Sequence, residues 1–200
     1  MTEDLSDNAK YLCPYCSTTY SGFDTLKTHV LSEHSGEELP QPDGLVNLVI
    51  NTKKQLVLVQ PEWTLYYLLH DKLGLIGSKQ FCDRGACGSC TVIMNGRAIL
   101  SCMVLAIECD GHTIETIEGI AEAEHPLIEN YAEHHAMQCG YCTPGFVVTA
   151  KALLDRNPDP TEDEIRRALA GNLCRCGTYP QHPIAVLETV KQSREENINA

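Results

Sequence analysis

The spacing of the cysteines constrains this sequence more strongly than any other feature. The chain has 200 residues and 11 cysteines, ten of which fall into three groups with regular internal spacing. The first ten residues, MTEDLSDNAK, have neither the basic nor the apolar region of a secretory signal, so we expect a cytoplasmic protein. Disulfides are rare in that reducing compartment. The cysteine groups therefore predict metal binding.

The first group combines two cysteines with two histidines. Cys13 and Cys16 are separated by two residues, and twelve residues further on come His29 and His34. Two thiolates and two imidazoles form a closed tetrahedral site that suits Zn²⁺ and leaves no open position for catalysis. Residues 11–34 are therefore predicted to be a ββα Cys2His2 zinc finger.

The second group has the spacing of a plant-type ferredoxin loop, C-x4-C-x2-C with a distant fourth cysteine. Glycines at positions 85 and 88 allow the loop to adopt conformations that a side chain would block. The stretch MNGR predicts a tight hairpin turn at Asn95-Gly96, which returns the fourth cysteine to the loop. The predicted 2Fe–2S ligands are Cys82, Cys87, Cys90 and Cys102.

The third group pairs a C-x2-C stretch with a C-x-C stretch across 31 intervening residues. A second zinc site is the alternative, but C-x-C after a long helical insert is unusual for zinc. We therefore predict a second 2Fe–2S cluster. Its predicted ligands are Cys139, Cys142, Cys174 and Cys176.

The insert between those cysteines has the pattern of two helices. The first is predicted over 146–154, after an N-cap at Thr143 and a first-turn Pro144. The second is predicted over 162–170, with Thr161 and Glu164 as a capping box. Each cysteine pair is thus expected beside a helix end, and the dipole of the first helix would favour the negatively charged sulfurs. The remaining Cys109 lies in LAIECDGH, which is predicted to be a strand that runs into a turn, and it is expected to be a structural free thiol.

The charge distribution excludes two classes of partner. The formal net charge is −12, and residues 1–44 contain 2 lysines against 8 acidic side chains. Nucleic-acid affinity depends on basic surface, and attraction to an anionic membrane does so too. The sequence also lacks an apolar run long enough to span a bilayer. We therefore expect no nucleic acid and no membrane insertion.

A redox-sensing zinc-finger regulator that binds nucleic acid is the alternative function. By the usual spacing, the base-contacting positions of the finger are Gly22, Thr25 and Thr28. None of these is the Arg, Lys, Asn or Gln that makes bidentate contacts to bases. The sequence therefore argues against this alternative.

Residues from about 45 to 187 resemble the iron–sulfur subunit of the xanthine oxidase family of molybdenum hydroxylases. The close relatives include subunits of CO dehydrogenases, isoquinoline-type oxidoreductases and bacterial aldehyde dehydrogenases. The resemblance rests on LGLIGSKQFCDRGACGSCTV, HHAMQCGYCTPG and GNLCRCGTYP, and all eight downstream cysteine positions match. The ending CRCGTYPQHPI departs from the commoner CRCTGY form, which favours the isoquinoline or aldehyde branch.

The resemblance implies an α+β chain with a β-grasp ferredoxin-like 2Fe–2S domain and a four-helix 2Fe–2S domain behind the finger. With the remaining segments, the predicted organisation is a flexible N-terminus at 1–10, the finger at 11–34, a linker at 35–44, the ferredoxin-like domain at 45–120, the helical domain at 121–190 and a tail at 191–200.

The resemblance also implies an electron-transfer subunit without a substrate-converting site of its own. Electrons would come from molybdopterin on a large partner subunit, enter at the helical-domain cluster and leave by the ferredoxin-type cluster. The acceptor would be an FAD-binding subunit or another carrier, in an assembly expected to be a dimer of heteromers. Gln138 matches a family position near the partner's pterin. The finger has no counterpart in the family pattern. We expect it to dock to a protein, with an intramolecular cap on an exposed edge as the alternative.

Overall fold

The computed structural model describes residues 11–13, 16, 18–34 and 44–199. The predicted flexible N-terminus and nearly all of the predicted linker lie outside the described residues. The N-terminal unit consists of β1 (Tyr11–Leu12), β2 (Thr19–Tyr20) and α1 (Phe23–Glu33). The two strands are antiparallel, with Tyr11 opposite Tyr20.

A five-stranded sheet forms the middle of the chain. Its strands are β3 (Leu45–Ile50), β4 (Lys53–Leu58), β5 (Thr91–Met94), β6 (Arg97–Leu100) and β7 (Thr113–Glu115), in the order β4-β3-β7-β5-β6. The pair β3–β7 is parallel, and the other neighbours are antiparallel. Asn95 and Gly96 have φ values of 48° and 76°, which suit the tight hairpin turn predicted between β5 and β6.

The inner face of the sheet packs against helix α2 (Leu65–Tyr67), which continues as a π-helical turn over Leu68–Lys72. The Thr64 hydroxyl caps α2 by accepting a hydrogen bond from the Tyr67 amide at 3.1 Å. Alternate residues of the strands reach this core, because successive side chains of a strand point to opposite faces. Its fully buried members include Val46, Leu48, Val92, Ile114, Leu65 and Leu68.

Five helices form the C-terminal part. They are α3 (Ile117–Glu122), α4 (Pro126–Glu133), α5 (Thr143–Leu154), α6 (Glu162–Leu169) and α7 (Gln181–Asn199). Within their shared apolar core, α5 is the most buried helix. The buried Asn130 amide of α4 donates to the Thr189 hydroxyl of α7 at 3.0 Å, so this polar pair is satisfied inside the helix interface. Among the described residues, no helix is both long and apolar enough to cross a membrane.

The outer face of the sheet is covered by two different elements. At one side, α5 packs against β5, and Ile93 of β5 is buried in the helical core. At the other side, Leu56 and Leu58 of β4 pack against Leu26 and Val30 of α1. The sheet therefore has apolar contacts on both faces, and the N-terminal unit contributes one of them.

The structure differs from three sequence predictions in detail. Helix α5 begins at Thr143 with Cys142 as its N-cap, because Pro144 is well accommodated in a first turn. Cys109 ends a 3-10 helix, Ala106–Cys109, and not a strand. The predicted loose tail is helical to Asn199, since no proline or glycine interrupts it and Gln192 accepts a hydrogen bond from Asn130.

Candidate metal centres

The ferredoxin-type loop lies between α2 and β5 and is shaped by left-handed backbone positions. Asp83, Gly85 and Gly88 have φ values of 51°, 71° and 75°. This curvature aims backbone amides inward, and the Ala86 amide donates to Cys82 Sγ at 3.2 Å. Amide hydrogen bonds to sulfur are a known means of tuning iron–sulfur clusters. The loop therefore has the form that thiolate ligands of a cluster need.

The β5–β6 hairpin brings the fourth cysteine of this group to the other three. Cys102 lies in a 3-10 turn immediately after β6, and its side chain packs with that of Cys90 in one buried cluster. Ser101 fixes the turn by donating to the Cys90 carbonyl from its hydroxyl at 2.7 Å. Tyr66 of α2 packs against the same two cysteines, so its ring has a packing role beside the predicted centre.

The helical domain presents its cysteines at the ends of helices, as predicted. Cys139 is exposed, whereas Cys142 is half-buried at the start of α5. Cys174 follows α6 and is buried in the helical core, and Cys142 packs against the same core. Cys176 is half-buried two residues further on. The structure thus brings the two distant halves of this group together.

A buried polar chain that the sequence analysis missed leads away from Cys174. Thr178 Oγ1 lies 3.1 Å from Cys174 Sγ and 3.2 Å from His182 Nε2. The His182 ring stacks on Phe146 at 3.8 Å between ring centroids, and burial lowers the pKa of His182 to about 4. A metal-bound thiolate can only accept a hydrogen bond. If Cys174 is a metal-bound thiolate, the Thr178 hydroxyl donates to Cys174 Sγ and accepts from the neutral imidazole of His182.

The environments of the thiols differ in how well they accommodate negative charge. Burial raises the pKa of Cys90 and of Cys142 to about 12 in each case. The backbone amide of Arg84 is the main cause that lowers the pKa of Cys82 to about 7. Burial disfavours the Cys174 thiolate, but hydrogen bonds from Thr178 outweigh it and lower the pKa of Cys174 to about 7. The high-pKa thiols would ionise when a cation replaces their protons.

The second and third cysteine groups are joined by a backbone hydrogen bond. The Leu173 amide donates to the Cys87 carbonyl at 2.8 Å, and beside it the Asn172 side chain donates to the Gly88 carbonyl at 3.0 Å. A Cβ on Gly88 would lie 2.6 Å from both Asn172 Nδ2 and the Gly171 carbonyl oxygen. Glycine at position 88 is therefore required both by its left-handed φ and by this close approach.

The predicted zinc ligands come together in the N-terminal unit. The ligand atoms of Cys13, Cys16, His29 and His34 all lie within 4.8 Å of one another. Over the described part of the chain, this is the only group of three or more such side chains close enough to share one ion. None of the eleven cysteines forms a disulfide.

Two further predicted residues have clear positions. Gln138 is exposed and directly precedes the exposed Cys139, so its assignment near a partner's pterin stays a prediction. Cys109 is fully buried in the sheet core, and burial raises its pKa to about 11. A thiol in such surroundings is unreactive, as expected for a structural cysteine.

Comparison with known protein families matches both downstream units. A family described as 2Fe-2S iron-sulfur cluster binding domain matches residues 48–113, and a family described as [2Fe-2S] binding domain matches residues 116–187. Both ranges together contain all eight cysteines of the second and third groups. The N-terminal unit lies outside them.

Individual relatives agree with these matches. The nicotinate dehydrogenase small FeS subunit of Eubacterium barkeri is 46% identical over 149 residues, which are 74% of this chain and 95% of the relative. The nicotine 6-hydroxylase small subunit of Paenarthrobacter nicotinovorans is 41% identical over 161 residues, 79% of this chain and 98% of the relative. A chain of the crystal structure of quinoline 2-oxidoreductase from Pseudomonas putida 86 superposes with a TM-score of 0.72 at 37% identity, over 76% of this chain and 96% of that chain.

Proposed function

Because this chain belongs to the family of iron–sulfur small subunits of molybdenum hydroxylases, we propose that it carries electrons between partner subunits through two 2Fe–2S clusters. The clusters would supply one-electron redox chemistry. The chain itself holds them, determines their separation and tunes their potentials through hydrogen bonds to sulfur. In this proposal the substrate is converted on a partner subunit.

The hydrogen bond from the Leu173 amide to the Cys87 carbonyl is the observation that carries this proposal. Cys87 is a ligand of the proposed ferredoxin-type cluster, and Leu173 is covalently joined to Cys174 of the proposed helical-domain cluster. The two proposed centres are thus connected by a few covalent bonds and one short hydrogen bond. A chain with two independent binding functions has no need of such a direct link.

The proposed ligands follow the cysteine groups. The sheet order with a helix packed across one face supports a β-grasp assignment for the first domain, and α4–α7 support the four-helix assignment for the second. The proposed cluster ligands are Cys82, Cys87, Cys90 and Cys102 in the first domain, and Cys139, Cys142, Cys174 and Cys176 in the second.

The proposed partners are a large subunit that binds molybdopterin and an FAD-binding subunit or another electron acceptor. The proposed entry point is the helical-domain cluster, because Cys139 and Gln138 are exposed together on the surface of this domain. At the other centre, Phe81 and Met103 are exposed by 71% and 59% of their surface beside the loop of residues 82–90. Such apolar side chains are suited to contact with an acceptor subunit.

Two clusters in one chain can be tested by low-temperature electron paramagnetic resonance (EPR) of the reduced protein. We expect two distinct 2Fe–2S signals and about four irons per chain. A single signal, or about two irons per chain, would contradict the proposal.

The link between the centres can be tested at Leu173. Leu173→Pro removes the amide hydrogen that bonds to Cys87, whereas Leu173→Ala keeps it and serves as the matched control. In the assembled complex we expect the proline variant to retain both EPR signals but to re-reduce the ferredoxin-type cluster more slowly. Equal rates of re-reduction in the two variants would show that electron transfer between the clusters does not depend on this hydrogen bond.

A further inference from the structure

We propose that Cys13, Cys16, His29 and His34 bind one structural zinc ion, and that the resulting finger covers the outer face of the chain's own sheet at β4. The inference is independent of the electron-transfer proposal, since the N-terminal unit lies outside both matched family ranges.

The spacing of the four ligand atoms suits one metal ion and not a binuclear cluster. Cys16 Sγ lies 3.2 Å from His29 Nε2, and His29 Nε2 lies 3.3 Å from His34 Nε2. Ligands of tetrahedral zinc at bond lengths of about 2.0–2.3 Å are separated from one another by about 3.3–3.8 Å. Ligands on opposite irons of a 2Fe–2S cluster would have to be considerably further apart. Two thiolates and two neutral imidazoles form a typical structural zinc set.

The sheet contributes to the apolar core around the finger. Among the finger residues whose burial is described, Cys13, Leu26 and Val30 are buried, and Tyr20 is partly buried against them. Units of this size cannot assemble a sufficient core of their own and usually rely on a metal or on other parts of the protein. Here the missing contacts come from Leu56 and Leu58 of β4.

The sheet in turn needs a cover at this place. Along β4, Val57 and Val59 point into the sheet core, so Leu56 and Leu58 point to the opposite face. Helix α5 covers that face at β5 but does not extend to β4, which is the edge strand. Without the finger, the two leucines would form an exposed apolar patch on an edge strand, where unwanted pairing with other chains begins.

Polar contacts of α1 agree with a fixed position on the sheet, and the threonine hydroxyls at two of the base-contacting positions already have partners within the helix. Lys27 Nζ donates to Gln55 Oε1 of β4 at 3.2 Å. At two of the base-contacting positions, the Thr25 and Thr28 hydroxyls donate to carbonyls of Gly22 and Asp24. These contacts favour the intramolecular cap over docking of the finger to a partner.

The experiment uses the full chain with its clusters and compares three variants. Cys16→Ser removes a zinc ligand, Leu56→Ser removes an apolar contact of β4, and Lys54→Ser is the control at an exposed position of the same strand. Zinc and iron are measured per chain, and hydrogen exchange is followed in the backbone of residues 23–33.

We expect about one zinc per chain in the unchanged protein, in the Leu56→Ser variant and in the Lys54→Ser variant. Leu56→Ser should accelerate exchange in α1 by on the order of tenfold, and Lys54→Ser should leave it unchanged. Cys16→Ser should lose zinc and α1 protection but keep both iron–sulfur EPR signals.

Three outcomes would overturn the inference. Absence of zinc, with no uptake of added Zn²⁺, would refute the metal site. Unchanged exchange of α1 in Leu56→Ser would refute the contact with β4. Protection of α1 that arises only after the large subunit is added would show that the finger docks to the partner.

Discussion

Thr178 shows how one side chain can tune a metal centre. Its hydroxyl lies between Cys174 Sγ and the buried imidazole of His182, at 3.1 and 3.2 Å. A hydroxyl that donates to a ligand sulfur withdraws negative charge from the cluster and makes reduction easier. His182 acts through Thr178 as a positioning residue, because it orients that hydroxyl and does not touch the sulfur.

We therefore expect Thr178→Val to shift the reduction potential of the helical-domain cluster to more negative values. The ferredoxin-type cluster should keep its potential, since Thr178 has no contact with its ligands. Redox titration followed by EPR resolves the two signals. Thr178→Ser, which keeps a hydroxyl, should restore the original potential. If the valine and serine variants had the same potential, the hydrogen bond would have no part in tuning.

The elements around the helical cysteines depend on how their helix ends are capped. Helix α6 begins at a capping box in which Thr161 Oγ1 accepts from the Glu164 amide at 3.3 Å and Glu164 Oε2 accepts from the Thr161 amide at 2.8 Å. The Thr161 amide and the Thr161 hydroxyl both donate to Glu164 Oε2, and these two hydrogen bonds lower the pKa of the Glu164 carboxyl. The loop that carries Cys174 follows the end of α6 at Leu169. An ordered first turn of α6 therefore supports the position of this loop.

Loss of this cap should loosen α6 without dismantling the fold. Thr161→Ala is expected to cost about 1 kcal/mol, and hydrogen exchange of amides 162–169 should rise about fivefold. Thr161→Ser keeps the capping oxygen and should behave like the unchanged protein. Exchange that rises equally in both variants would mean that the threonine methyl group matters and the cap does not.

Three units share one sheet in the whole molecule. Its inner face holds the core with α2, and its outer face is divided between α5 and the N-terminal finger. Contact between α5 and the ferredoxin-type loop is close, because a Cβ on Gly145 would lie 2.3 Å from the Gly88 carbonyl oxygen. The two proposed clusters are therefore held at a fixed separation by direct packing of their domains.

This arrangement predicts that the clusters can be removed one at a time. In the assembled complex, Cys142→Ser should abolish turnover, because the helical-domain cluster is the proposed entry point for electrons. The ferredoxin-type EPR signal should persist, since none of its ligands lies in the helical domain. Cys109→Ser, at a buried cysteine outside both groups, is the control and should keep both signals. Loss of both signals in Cys142→Ser would contradict independent clusters.

The sequence by itself determined which residues are available as metal ligands and how they are spaced. Ligand type, number and spacing are local properties of the chain, so the three cysteine groups, the Asn95-Gly96 turn and the capping box at Thr161 could be predicted directly. The family matches confirm two 2Fe–2S domains. Helix bounds were less certain, because the pattern at residues 143–146 allows more than one starting residue.

Only the tertiary structure decided how the groups are connected. The contact of Leu173 with Cys87, the chain from Cys174 to His182 and the position of α1 on β4 each join residues that different elements bring together. Such contacts depend on how whole surfaces pack, and no local spacing encodes them. For the same reason, the sequence left the role of the finger open, whereas the packing of Leu56 and Leu58 indicates which surface it covers.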